Sequence, residues 1–134
     1  GLSYVFDENL PARIARAINA VCGSACHVCD EGLASKPDEE QLRFAASRGA
    51  VFVTSDKRIK NRKHERAALI ESGVSVIETS FPDSYSLWER FKLVVNQWER
   101  AEALLVAARG QEYVLMRPRG VRTLAEENRR SRRR

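Results

Sequence analysis

No stretch of this 134-residue chain approaches the roughly 18 to 20 consecutive apolar residues that cross a bilayer. The opening residues, Gly1-Leu2-Ser3-Tyr4-Val5-Phe6, run straight into Asp7-Glu8, without the basic, apolar and small-residue blocks of a secretory signal. No glycine-rich phosphate loop, Gly-x-Gly-x-x-Gly string or Ser-His-Asp pattern is visible, so nothing points to loop-type nucleotide binding or triad hydrolysis. Histidine is scarce, with His27 and His64 alone. The expectation is a cytoplasmic protein with no membrane partner.

Cysteine is confined to one place. Cys22, Cys26 and Cys29 fall within eight residues, around His27. A Cys-x-x-Cys pair suggests zinc, but no second pair follows. Strand alternation also sends Cys26 and His27 to opposite faces. Partly buried, reduced thiols are expected rather than disulfides.

Net charge is nearly absent from most of the chain. The total of +5 comes from 23 basic and 18 acidic residues. Five of the arginines lie in the last six positions, Arg129-Arg130-Ser131-Arg132-Arg133-Arg134. The other 128 residues therefore balance at 18 and 18. Such a basic end attracts phosphate backbones or is simply solvated.

What is present is an alternation of short apolar strands and amphipathic helices. Strands are predicted at residues 3–6, 26–29, 50–54, 74–77 and 111–116. The run Ala50-Val51-Phe52-Val53-Thr54 is apolar throughout, as a strand covered on both faces should be. Helices are predicted between them. The first is capped by Asn9 with Pro11 in its first turn. The longest opens with Ser86-x-x-Glu89, a capping box. Alternating elements imply βα units, a mostly parallel sheet and right-handed crossovers. The expected fold class is α/β, with one domain over residues 1–117 and a basic, flexible tail over 118–134.

Three predicted strands run directly into an aspartate: Asp7, Asp30 and Asp56. A fourth acidic group, Asp38-Glu39-Glu40, opens a helix. In open parallel sheets ligands bind beyond the carboxyl ends of the strands, so these acids should converge. Clustered carboxylates repel one another and raise each other's pKa. A divalent cation removes that penalty, and an all-oxygen ligand set suits Mg²⁺ or Mn²⁺. Each acid also has a structural alternative: an Asx turn for Asp7, a helix cap for Asp38 and a cap on the turn that follows for Asp56.

The string Asp7-Glu8-Asn9-Leu10-Pro11, the helix opening Asp38-Glu39-Glu40 and the strand end Val53-Thr54-Ser55-Asp56 together resemble a compact PIN-like nuclease family, over residues 2 to about 80. The resemblance implies a three-layer α/β/α sandwich. It implies a Mg²⁺- or Mn²⁺-dependent endoribonuclease similar to the VapC toxins of type II toxin–antitoxin systems, with RNA as substrate, an antitoxin protein as partner and a possible homodimer. Asp7, Asp38 and Asp56 would be the catalytic metal ligands, with Asp30 and Glu39 behind them and Thr54 or Ser55 orienting a ligand. The chain departs from the family where Asp56 is followed by Lys57-Arg58-Ile59, and in lacking a clear fourth acid, Glu78 and Asp83 being the nearest candidates.

Lys57, Arg58, Lys60, Arg62 and Lys63 follow Asp56 directly and are expected to hold RNA phosphates. His64 is expected to be an ordinary exposed residue. Trp88, Phe91 and Trp98 are expected to pack on the sheet or a second subunit rather than stack on bases. The rival function is a PIN-like module that binds nucleic acid or protein without cutting. A phospho-receiver would need an acceptor Asp and a distant Lys in a register the sequence does not show.

Overall fold

The computed structural model describes residues 1–133. The element order is β1 (Tyr4–Phe6), α1 (Ala12–Cys22), β2 (Ala25–His27), a single 3₁₀ turn (Val28–Glu31), α2 (Asp38–Ser47), β3 (Val51–Thr54), α3 (Lys63–Ser72), β4 (Val76–Thr79), α4 (Leu87–Ala107), β5 (Tyr113–Arg117), β6 (Gly120–Thr123) and α5 (Leu124–Arg132). The strands form one six-stranded sheet in the order β2-β1-β3-β4-β5-β6. Every pairing is parallel except β5 with β6.

Side-chain alternation along each strand builds two cores, one on each face. Tyr4, Phe6, Val51, Val53, Ile77, Val114 and Met116 meet α1 and α4 on one side. Val5, Phe52, Val76 and Leu115 meet α2, α3 and Ile59 on the other. This is the α/β/α sandwich that the resemblance implies. The bulk of α4 is anchored by Trp98, whose ring lies parallel to Phe6 at 6.0 Å and tilts against Tyr4 at 4.6 Å. Trp88, by contrast, is 63% exposed.

The crossovers do not all share one hand. α2 and α3 cover one face as the chain moves from β2 through β3 to β4, and α1 covers the other as it moves the opposite way. These three connections agree. α4 continues toward β5 yet lies on the α1 face, so its crossover has the opposite hand to theirs, against the usual rule. Burying Trp98 and Val94 against Phe6 is what this placement achieves.

Local corrections follow from hydrogen bonds. Pro11, not Asn9, is the N-cap of α1, because Asn9 turns its backbone and side chain to Asp7. The capping box of Ser86 and Glu89 is present as expected. The region expected as a flexible tail carries β6 and α5. A Pro118-Arg119 turn lets Gly120, at φ 152°, pair with Arg117, a conformation glycine tolerates best. Thr123 then caps α5 through Glu126 N–H. Glu126 and Glu127 in its first turn and Arg129, Arg130 and Arg132 in its last match the helix dipole. Arg134, counted in the basic tail, lies outside the described residues. Cys22 and Cys29 are exposed free thiols, more open than expected, and Cys26 is half-buried. His27 is buried and structural: Nε2 meets Leu10 O at 2.7 Å and Nδ1 accepts from Cys29 N–H. Among the described residues no helix is long and apolar enough to cross a membrane.

Candidate functional site

The chain leaves β1 in one direction along the sheet and β3 in the other, so the switch point lies between these neighbours. Asp7 follows β1 there, and Thr54 ends β3. The Asp7 N–H still donates to Val53 O at 2.9 Å, which fixes its backbone to the sheet. Its carboxylate, 1% exposed, accepts from Asn9 N–H at 3.0 Å, from the Asn9 amide and from the Thr54 hydroxyl. Burial pushes this carboxyl up to about 6. The bonds from Thr54 and Asn9 pull the other way, and the charge of Asp38 adds to the rise. The Asx turn is therefore real, but it holds an acid that is costly to ionise.

Thr54 links two of the acids. Its hydroxyl donates to Asp7 and accepts from Asp56 N–H at 2.9 Å. Asp56 is held in turn by Arg58, whose backbone N–H and Nε reach Oδ1 at 2.9 and 3.0 Å. Burial raises the Asp56 carboxyl, but Arg58 outweighs it and holds the group below its ordinary value.

Asp38 opens α2, yet caps nothing: Pro37 is the N-cap and no side-chain cap bond forms. Its carboxyl is raised by partial burial, then by the charges of Asp56, Glu65 and Glu39, with Arg58 opposing. Glu39 sits beside it, half-buried. Asp7, Asp38 and Asp56 thus share one electrostatic field at the carboxyl edge. Asp30 does not join them. It pairs on the surface with Arg16 at 2.6 Å.

Gln41 stands near the start of α2, three residues after Asp38. It is 1% exposed and donates to Glu8 Oε1, Leu33 O and Lys36 O, while Glu8 accepts from Ser35 N–H. This tie fixes the loop before α2 and with it the position of Asp38. A buried glutamine beside a loop has no signature in the sequence.

The basic segment divides. Lys57 is exposed and Lys63 is exposed at the start of α3, while Arg62 pairs with Glu65 at 3.3 Å. Lys60 is diverted: its Nζ donates to the fully buried Glu78 at 2.6 Å. Glu78 also accepts from Tyr113 and Arg117, so it is no fourth acid of the cluster. His64 is exposed. Asn9, Ser55, Asp56, Lys57 and Arg58 line an open cavity of about 480 Å³ beside the acids.

The model of a PIN-like domain matches residues 2–80, from just before β1 to the end of β4. The chain belongs to the PIN-like domain family. No curated protein and no solved structure matches it. The match spans Asp7, Asp38, Thr54 and Asp56 and stops before α4. A divalent cation fits this PIN-like edge by donor chemistry, since three carboxylates share a field and two are driven up in pKa. Among the described residues, however, no three acidic, histidine or cysteine side chains stand close enough to enclose an ion. So open an arrangement fits only a cation held by one or two carboxylates, waters and a substrate phosphate.

Proposed function

We propose that this PIN-like domain hydrolyses RNA phosphodiester bonds with Mg²⁺ or Mn²⁺, as the toxin of a type II toxin–antitoxin pair. The observation that carries the reading is Asp7: an acid buried at the switch point, fixed by two neighbours, and raised in pKa beside a second uncapped acid. One or two of Asp7, Asp38 and Asp56 would hold the cation directly and the others through water, with Glu39 behind Asp38. When bound, such an ion neutralises charge on a phosphodiester and makes a water ligand more acidic. Thr54 orients both Asp7 and Asp56. Lys57, Lys63 and Arg62 hold the RNA backbone, and Arg58 joins them to the extent that it leaves Asp56.

A non-catalytic binding module is the second reading. The Arg58–Asp56 pair favours it, because a guanidinium there already neutralises one of the three acids. End-labelled RNA separates the two readings. With Mg²⁺ or Mn²⁺ the wild-type protein is expected to cut, and with EDTA the rate should fall by at least about 100-fold. Binding that persists in EDTA with no cutting under any metal would leave the module. Growth arrest on induction, lifted by Asp38→Asn, is the expected mark of a toxin.

A further inference from the structure

Next to the acid cavity lies a second, polar one of about 250 Å³, lined by Asn9, Ser55, Lys57, Thr79, Ser80, Phe81, Asp83 and Arg90. It shares Asn9, Ser55 and Lys57 with its neighbour. Arg90 stands in the first turns of α4, immediately after the Ser86–Glu89 capping box, and its guanidinium lies 5.5 Å from the Phe81 ring. Its Nε is one of two buried side-chain nitrogen or oxygen atoms that lack a hydrogen-bond partner among the described residues. Lys57 makes no ion pair among the described residues. Two cations against Asp83 leave the wall with one net positive charge.

The Arg90 Nε is closed to solvent as well as unpartnered, so a ligand would meet this side chain through its outer guanidinium nitrogens. Arginine with lysine and hydroxyl groups is a donor set for phosphate oxygens. The Thr79 and Ser55 hydroxyls are already spent on Thr54 O and Asn9 O, which leaves the Ser80 hydroxyl for a ligand. We propose that this pocket is a phosphate subsite, in which Arg90, Lys57 and Ser80 hold an internal phosphodiester of the RNA strand beside the one presented to the acids. It rests on the nucleic-acid reading above. The charge pattern suits it: acids on one side of Ser55 draw a cation, and cations on the other draw the strand.

The test is fluorescence anisotropy of a short labelled RNA in EDTA, so that no cutting enters the readout. Arg90→Gln is expected to weaken binding about threefold to tenfold and to lower the slope of log K against log salt by about 0.7, the value for one single-strand phosphate. Arg90→Lys should restore the slope but not the full affinity, because the charge returns without the fork. Arg109→Gln, beyond the far end of α4, is the control and should change neither. RNAs with and without a 5′-phosphate should lose equally. A loss seen only with the 5′-phosphate would overturn the internal assignment. Wild-type binding with an unchanged Arg90→Gln slope would overturn the pocket alone, whereas failure of the wild type to bind would overturn the nucleic-acid reading with it. Melting temperature serves as the folding check, and Lys57→Gln repeats the test should Arg90→Gln prove unstable.

Discussion

Asp7→Asn is expected to stabilise the protein and disable it together. The ordinary aspartate pKa of 3.8 is pushed to about 6 at this position, and each unit of difference corresponds to about 1.4 kcal/mol between protonation states. At pH 8 the ionised Asp7 therefore costs the fold up to about 3 kcal/mol. Asparagine removes that cost and keeps an oxygen for the Asn9 N–H, while its amide nitrogen replaces the Oδ2 that accepts from both Thr54 and the Asn9 amide, so the Asn9 amide bond is lost and the Thr54 hydroxyl must turn from donor to acceptor. A net gain of about 1–2 kcal/mol is expected, a rise of several degrees in Tm. Cleavage should fall at least about 100-fold, since a neutral amide is a poor ligand for a hard cation.

The pH dependence carries a definite sign. Between about pH 4 and 6 the folded protein holds a proton on Asp7 that the unfolded chain has released, so this group lowers stability as pH rises through that window. The advantage of Asp7→Asn should be absent near pH 4 and full above about pH 7. Mn²⁺ reverses the comparison: at pH 8 it should raise the melting temperature of the wild type by binding the folded form and leave Asp7→Asn unmoved. Loss of stability in Asp7→Asn at pH 8, together with wild-type cleavage, would refute the assignment. Such a trade of stability for charge is common where function needs an unfavourable group.

Much of this site was legible because it lies at strand ends. Val53-Thr54-Ser55-Asp56 announces a buried strand running into an acid, and parallel topology alone brings Asp7 and Asp56 to one edge. Asp38 was legible as a helix opening. Its freedom from capping was not, because that turned on Pro37 taking the cap. Asp30 misled for the opposite reason: it reads as a strand end but lies in the 3₁₀ turn after β2, and β2 is the sheet edge, where Arg16 of α1 reaches it. Strand order, which decides the difference, is not written in local pattern. Lys60 belonged by sequence to the basic run. Only the register of β4 and β5, which sets Glu78 opposite Leu115 and next to Tyr113, shows that its amine goes inward. β6 and α5 were missed although their signals stand in the chain. Pro118-Arg119-Gly120 is a turn, and Thr123-x-x-Glu126 is a cap. The arginine-rich composition behind them outweighed both.

Glu78→Ala is expected to be as damaging as truncating a core aromatic, costing about 3–5 kcal/mol. The Glu78 carboxylate is fully buried and accepts from Lys60, Tyr113 and Arg117. Burial would raise its pKa, but these three partners outweigh it and hold the group below its ordinary value. Removing it strands two cations with little water, and side-chain exposures of 19% and 28% for Lys60 and Arg117 give them small means of escape. The exposed pair Arg16–Asp30 is the contrast. Its members are 60% and 40% open, and Arg16→Ala should cost less than about 1 kcal/mol. Because the folded pKa of Glu78 is lowered, its contribution is complete above about pH 4.5 and is lost as pH falls through the folded value. The wild type should therefore lose stability on acidification where Glu78→Gln does not. The damage should also reach the RNA. Lys60 ties the basic segment to β4, and Thr79 at the end of β4 and Ser80 after it lie in the wall of the proposed phosphate pocket. A Glu78→Ala protein still folded at low temperature should bind RNA less tightly than wild type, with the salt slope reduced. A cost below about 1 kcal/mol in chemical denaturation would mean that the three partners are solvated after all, and that the network does not fix the segment.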